Sequence, residues 1–343
     1  MAKCLLTSYT VSPETLEELT RIFKEHNIQL EVTPLQRYYT EEELIKALGD
    51  VDATLAGGDQ YTRKVVEECK RLKVIARVGV GHDTVDVKAA TENGVVVTWT
   101  PIPELAKAVA DEAAALMLAV LRRIPFLDMK MREGEYYTRG YHHLIQDAYP
   151  LTAGIIGLGR IGVEFAKRCL GFGMKAQYYD VVRNLEAEKE LRREGTAGVG
   201  YTSFEELLKT SDVISIHTPL TPQTRNLIGE EEFNLMKKNA VFINTARGAI
   251  VDEQALYNAL EKRKIFGAGI SVFTKEPVEE GHPFYKLDGK LDNLVLLPHV
   301  GASSHTVEAM LLTSANDVIA VLEGRKPKYP LNPEVLDKEM RRT

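Results

Sequence analysis

Three residues of this sequence have side chains suited to proton-coupled chemistry on a small acid. All three stand just beyond apolar segments of strand character. Arg247 follows residues 240–243, Glu276 follows residues 267–270, and His299 follows residues 294–297. Histidine carries protons at neutral pH because its ordinary pKa lies nearby. A carboxylate beside an imidazole fixes the tautomer and favours the charged form. Such a general acid–base contributes roughly 10²–10⁴-fold in rate. Arginine grips a carboxylate through two parallel charge-assisted hydrogen bonds. Each residue alone also has a plainer reading: Arg247 as a helix-end ion pair, Glu276 as a solvated loop acid, His299 as a satisfied core histidine. Together, each past a strand, they read as a substrate-holding cation with an acid–base pair. His217 also ends a strand, but Pro219 follows closely, so a backbone role beside a ligand suits it better than proton transfer. His82 and His282 have no comparable setting.

What those residues would act on follows from the stretch at residues 153–162, AGIIGLGRIG, which reads as buried strand, glycine turn and helix start. Gly157 allows the tight turn, Gly159 lets the backbone approach a pyrophosphate, and Gly162 lets helix and strand pack closely. Free N–H groups and the helix dipole at that start favour phosphate. A second apolar strand at residues 175–179 ends in Asp180, 18 residues after Gly162, where a carboxylate can hold adenosine ribose hydroxyls. Strand, turn, helix, strand and acid together predict a bound dinucleotide. Asp180 favours NAD over NADP, because it would repel a 2′-phosphate; Arg183 nearby is the residue that could oppose this.

The elements that must position these groups alternate along the chain. Ser12 and Pro13 start one helix, and Thr40 with Glu43 makes a capping box closed by Gly49. Strands are predicted near residues 54–55, 74–76 and 95–97, which makes the first hundred residues an α/β unit. Its loop at residues 77–86 is rich in glycine, and the exposed N–H groups suit an anion, although a plain turn reads as well. Residues 103–121 predict one long helix, apolar nearly all round and therefore buried. From Thr152 strands and helices alternate again, with strands at residues 213–216, 240–243, 267–270 and 294–297 and a helix cap at Ser203 with Glu206. Such alternation implies a parallel sheet covered on both faces, with ligands at the strands' carboxyl ends. A last helix over residues 303–322 returns to the first unit and leaves a polar tail. The fold class expected is α/β with two Rossmann-like, doubly wound domains.

Composition narrows the partners. The chain has 343 residues and a formal net charge of −6, so a nucleic-acid surface is not expected. No apolar run has the length of a membrane span, and the N-terminus lacks a cleavage pattern, so a cytoplasmic protein is expected. Cys4, Cys69 and Cys169 are few and far apart, which suits reduced thiols, with Cys169 in the core. Tyr136, Tyr137, Tyr141, His142 and His143 lie in a polar stretch without a ligand-spaced carboxylate or cysteine, so they read as surface or pocket lining and no metal is expected.

The motifs GIIGLGRIG at 154–162, HTPLT at 217–221, NTARGAIVDE at 244–253 and LPHVG at 297–301 occur in one order over nearly the whole chain. In that set the chain resembles the D-2-hydroxyacid dehydrogenase family, which includes phosphoglycerate, glyoxylate/hydroxypyruvate and D-lactate-type enzymes. The resemblance implies hydride transfer between NAD and C2 of a small D-2-hydroxy or 2-oxo acid. It implies Arg247 as binder of the substrate carboxylate and carbonyl, and Glu276 with His299 as the acid–base pair. Val78, Gly79 and Val80 would offer backbone N–H groups to the carboxylate. Contacts to NAD would come from Val109, Gly157, Gly159, Arg160, Ile161, Asp180, His217, Pro219, Thr224, Thr245, Ala246, Arg247, Ser271, His299 and Gly301. The substrate domain would be discontinuous, 1–102 plus 304–343, around a cofactor domain at 103–303, with the active site in the cleft. Homodimers would form through the cofactor domain.

The chain also departs from that family. Ser271-Val272-Phe273 stands where Asp-Val-Phe is usual, and that Asp commonly contacts the nicotinamide amide. Asp111 stands where Glu is common, Trp99 replaces an Asn, and the loop at 101–107 is one residue longer. Trp99 packs in the hinge or shapes the substrate pocket. No regulatory domain is expected after residue 343. Arg63, Lys64 and Arg77 would meet a phosphate or phosphonate tail, as in 3-phosphoglycerate, or be solvated surface charge. Two other functions share the fold: an NAD-sensing, corepressor-like protein, and a phosphite dehydrogenase. The latter carries a lysine where this chain has Val80.

Overall fold

The computed structural model describes residues 1–7, 11–35, 37–136, 140–192, 198–286 and 292–337. The chain divides into two compact units, one of residues 1–105 and 302–343, the other of residues 106–301.

The first unit runs β1 (Ala2–Leu6), α1 (Pro13–Glu25), β2 (Ile28–Val32), α2 (Glu41–Leu48), β3 (Ala53–Ala56), α3 (Arg63–Glu68), β4 (Val74–Arg77), α4 (Val87–Glu92) and β5 (Val96–Thr98). Its five strands lie in the order β2-β1-β3-β4-β5, and every pairing is parallel. That is the flavodoxin-like doubly wound order. The predicted starts hold: Ser12 Oγ accepts from the Thr15 N–H, and Thr40 with Glu43 forms the reciprocal box. Gly49 caps α2 in a right-handed conformation, so its freedom as glycine is not used there. The segment beyond residue 324 is more than a polar tail. Asn332 is buried, accepts from the Val97 N–H and donates to Val95 O, and Val335 is fully buried.

The second unit contains most of α5 (Pro103–Leu121), then α6 (Ile124–Arg132), β6 (Thr152–Ile156), α7 (Arg160–Gly171), β7 (Lys175–Tyr179), α8 (Leu185–Leu191), β8 (Val199–Tyr201), α9 (Phe204–Thr210), β9 (Val213–Ile216), α10 (Glu230–Leu235), β10 (Val241–Asn244), α11 (Glu253–Glu261), β11 (Gly267–Ile270) and β12 (Leu294–Leu296). The helix α12 (Ser304–Leu322) follows and belongs to the first unit, capped by Ser303. The seven strands lie in the order β12-β11-β10-β9-β6-β7-β8, all parallel. The order reverses between β6 and β9, which makes their carboxyl ends the switch point where ligands bind in such sheets. Two apolar layers sandwich the sheet. One joins α5 and α7 residues such as Leu116, Met117 and Phe165 to Ile155 and Ile243. The other joins Leu256, Phe233 and Phe284 to Ile214 and Phe242. Helix α5 is less buried than its apolar sequence suggests: Lys107, Asp111 and Ala115 make an exposed stripe at helical spacing.

Candidate active site

The glycine turn is built as its spacing requires. Gly157 has φ 94°, a positive value that side chains rarely allow, and its N–H donates to Tyr179 O at 2.8 Å. A Cβ on Gly162 would stand 2.1 Å from Gly157 O, so helix α7 and the turn touch there without room for a side chain. A Cβ on Gly159 would meet nothing within 4 Å. The turn therefore leaves an open cradle at the start of α7, with Arg160 as first helical residue, exposed, and Ile161 beside it. An open cradle at a helix start, backed by a carboxylate at the next strand's end, fits a dinucleotide. That carboxylate is Asp180. Its Oδ2 accepts from the Leu158 N–H at 2.9 Å and its Oδ1 from the Val181 N–H at 2.8 Å, which ties the second strand's end to the turn. Arg183 pairs with Glu188 instead of Asp180.

The residues past β9 and β10 continue this rim. The His217 ring packs on Phe165 and its Nε2 lies 2.9 Å from Ser215 Oγ. Burial pushes its pKa down to about 3, so it stays neutral at any working pH. That suits the backbone role expected of it: the His217 carbonyl lies against Gly157. Pro219 is exposed, and its carbonyl accepts from the Thr224 hydroxyl. Asn244, buried at the end of β10, accepts from the Ala246 N–H and donates to Arg247 O, which fixes the turn that presents Arg247. Thr245 lies buried in the same turn. A Cβ on the next residue, Gly248, would overlap the Phe273 backbone, so this turn and the loop after β11 are in direct contact.

That contact gathers the three candidate chemical groups. His299 Nδ1 lies 2.7 Å from Glu276 Oε2, and Glu276 Oε1 accepts from the Phe273 N–H at 2.9 Å. Burial would raise the Glu276 pKa. The His299 hydrogen bond and charge, the Phe273 N–H and the charge of Arg247 outweigh it and hold the carboxyl below the usual range. His299 itself has φ 53°, uncommon for a residue with a side chain, and its N–H donates to Ser271 O. Its side chain is 46% exposed, so the ring nitrogen not facing Glu276 is open to a ligand. The Arg247 guanidinium donates to Ala246 O.

Some expected contacts are already engaged. The Val78 N–H donates to Ala56 O and the Gly79 N–H to Thr100 Oγ1 at 2.6 Å, so two of the three donors expected from that loop already have acceptors. Arg77 is buried and donates to Ala56 O and Val78 O. Arg63 pairs with Glu67 and Glu92, and Lys64 with Glu41 and Glu42. Trp99 meets the His82 ring edge-on at 5.9 Å.

Two groups were not legible from sequence. His282, set aside there, has its Nε2 3.2 Å from Glu253 Oε2 and lies against Phe273, Phe284 and Tyr285. Glu253 also accepts from the Thr274 N–H, so the pair clamps the loop that carries Glu276. The other is Glu112, which accepts from Ser271 Oγ at 2.8 Å, while its neighbour Asp111 turns outward to Arg168. Of the polar stretch, His142 and His143 lie on a short 3-10 turn and Tyr141 bonds Glu135; Tyr137 lies outside the described residues. Among the described residues no three His, Cys, Asp or Glu side chains converge as metal ligands, and no helix is long and apolar enough to cross a membrane. Cys4, Cys69 and Cys169 are buried free thiols.

Residues 114–301 match the D-isomer specific 2-hydroxyacid dehydrogenase, NAD binding domain. The chain belongs to that dehydrogenase family. Relatives agree over most of its length. Glyoxylate reductase of Thermococcus litoralis is 44% identical over 300 residues, 85% of this chain and 87% of that one. Glyoxylate reductase of Korarchaeum cryptofilum is 38% identical over 317 residues, 91% and 92% of the two chains. Among solved structures, a glyoxylate reductase from Paecilomyes thermophila superposes with TM-score 0.81 at 30% identity, over 97% of this chain and 99% of that one. D-lactate dehydrogenase from Aquifex aeolicus, solved with NAD and lactic acid, gives TM-score 0.81 at 28% identity over 97% of each chain. This dehydrogenase is therefore an NAD-dependent oxidoreductase with the two-sheet fold of its family.

Proposed function

We propose that this dehydrogenase reduces a small, unphosphorylated 2-oxo acid, glyoxylate foremost, to its 2-hydroxy acid. The observation that carries the reading is the Glu276–His299 pair beside Arg247 at the carboxyl ends of β10 to β12. Bound NADH supplies the hydride to C2 of the substrate. Arg247 holds the substrate carboxylate and polarises the 2-oxo group. His299, held through Nδ1 by Glu276, gives a proton from Nε2 to the oxygen that becomes the hydroxyl. The ionised Glu276 favours the charged imidazole that this step requires. Glyoxylate is preferred to an acid with a phosphate tail because Arg63 and Lys64 already pair with carboxylates and Arg77 with backbone carbonyls. Asp180 at the end of β7, with Arg183 committed to Glu188, supports NAD over NADP. The contacts of Gly157, Gly159, Arg160, Ile161, Thr224, Thr245, Ala246, Ser271, Gly301 and Val109 with the cofactor belong to the same proposal. So do a cytoplasmic location, which suits the three reduced thiols, and a homodimer formed through the cofactor unit.

The test is NADH oxidation with glyoxylate, pyruvate, hydroxypyruvate, 3-phosphohydroxypyruvate and phosphonopyruvate. Glyoxylate should give the highest kcat/KM, and NADPH should be the poorer cofactor. His299→Ala should lower kcat by about 10²–10⁴-fold and leave the NADH dissociation constant nearly unchanged. No turnover on the whole panel with NADH binding intact would show a binding protein instead of an enzyme. A leading phosphorylated substrate would overturn the argument from paired cations.

A further inference from the structure

Helix α5 carries a titratable group that the reaction above does not use. The helix lies along β11 in a regular ladder. A Cβ on Gly267 would stand 2.7 Å from Val120 Cγ1, and one on Gly269 would stand 2.8 Å from Leu116 Cβ. Four residues of helix advance about 6 Å and two residues of strand about 6.6 Å. The next step of the ladder therefore sets Glu112 against Ser271, and there the serine hydroxyl donates to Glu112 Oε1 at 2.8 Å. The glycines make the approach close enough for that bond. Gly301 keeps the other side open: a Cβ there would stand 2.9 Å from Glu112 Oε2 and 3.2 Å from Val109 Cγ2. Burial raises the Glu112 pKa, and the Ser271 hydroxyl, the charge of His299 and the Val300 backbone draw it back. No lysine or arginine pairs with Glu112 among the described residues.

We propose that Glu112, held by Ser271, accepts the carboxamide N–H₂ of the nicotinamide. The inference rests on the NAD reading, and its argument is chemical. Asp180 places the adenosine end at β7, so the nicotinamide end lies across the switch point toward β10 to β12, beside His299. The group at that end that bears N–H donors is the carboxamide. Ser271 has given its hydrogen to Oε1, so the pair presents acceptors outward: the serine oxygen and Oε2. Acceptors match an amide N–H₂ and repel the substrate's carboxylate, which Arg247 claims instead. The negative charge also suits the positive ring of NAD⁺. The acceptor at this end is thus supplied from α5, through a serine that bridges the gap to β11.

Isothermal titration of the full chain with NADH and with its 3-acetylpyridine analogue tests this. The analogue has an acetyl group in place of the carboxamide, hence no N–H. Wild type should bind NADH about tenfold more tightly than the analogue, the scale of one hydrogen bond to a charged acceptor. Glu112→Ala should weaken NADH about tenfold, leave the analogue nearly unchanged and so abolish the preference. Adding Ser271→Asp to Glu112→Ala should restore it. Should Glu112→Ala fail to fold, Glu112→Met keeps the volume and reads the same ratio. An unchanged NADH-to-analogue ratio, or equal weakening of both ligands, would overturn the proposal. Wild type that binds neither ligand would overturn the NAD reading and this inference with it.

Discussion

At the scale of single residues, two histidines past neighbouring strands meet opposite fates, and the surroundings explain both. His299 has a carboxylate at 2.7 Å and an exposed ring; His217 has a serine hydroxyl and a phenylalanine face. One is equipped to change charge and the other to remain neutral. The pKa of His217 is depressed to about 3 from an ordinary value near 6.5. In the unfolded chain it binds a proton below pH 6.5, while in the folded chain it does so only near pH 3. Unfolding therefore takes up a proton in that window, and folding stability rises with pH across it. The contribution is present in full above pH 6.5 and is lost as pH falls toward 3, by no more than about 1.4 kcal/mol per pH unit. Melting temperatures of wild type and His217→Gln between pH 6.5 and 4 measure it: the variant should show the shallower fall. Equal slopes would mean that the ring titrates normally in the folded state. In the sequence the two histidines differ by Pro219 close after one and by the LPHVG motif around the other. The sequence could not show Glu112, because residues 112 and 271 lie 159 apart and meet only through the ladder of α5 on β11. The setting of His282 was hidden for the same reason: its partner Glu253 begins α11, 29 residues earlier in the chain.

At the scale of elements, the glycine turn separates folding from binding. Gly162 touches the Gly157 carbonyl, so Gly162→Ala forces backbone apart inside the unit. It should lower stability by several kcal/mol, as overpacking against backbone does, and NADH binding should go with it. Gly159 faces open space at the start of α7. Gly159→Ala should leave the melt within about 0.5 kcal/mol of wild type, yet weaken NADH at least about tenfold, because the added methyl fills the cradle. Calorimetry and titration on both variants check the contrast. A Gly159→Ala chain that binds NADH normally would show that the backbone does not approach the pyrophosphate there. These elements were legible because their signals are local. Capping pairs, the apolar strands and the turn glycines each act within a few residues. Strand β7 falls on the predicted residues for that reason, and β5 and β10 differ by one at each end. Strand β8, three residues with two exposed, had no such signal. The polar reading of the last segment failed because Asn332 and Val335 are held by a distant strand edge and core.

At the scale of the whole molecule, the second unit presents apolar side chains that its own fold does not cover. Helix α6 buries none of its residues, and Ile124, Met129 and Met131 on it are 53%, 40% and 53% exposed. Tyr136 just beyond is 76% exposed, and Phe172 at the end of α7 is 42% exposed. At the root of that helix Arg123 pairs with Asp292 at 3.0 Å and stacks over Phe266 at 4.5 Å. A short amphipathic helix anchored at its root by a buried ion pair, with methionines outward, is suited to packing on a second copy related by a twofold axis. An isolated exposed apolar residue needs no partner; several on one element argue for one. Light scattering after size exclusion should therefore give twice the chain mass. Ile124→Glu together with Met131→Glu should give a single chain mass with NADH binding retained, because neither residue is among the proposed cofactor contacts. The glutamates add charge where a dimer would bury it unpaired, at a cost of several kcal/mol per group, more than a weak interface can offset. A wild-type chain that runs as a monomer at micromolar concentration would remove this surface as an interface, and a double variant that remains dimeric would move the interface elsewhere.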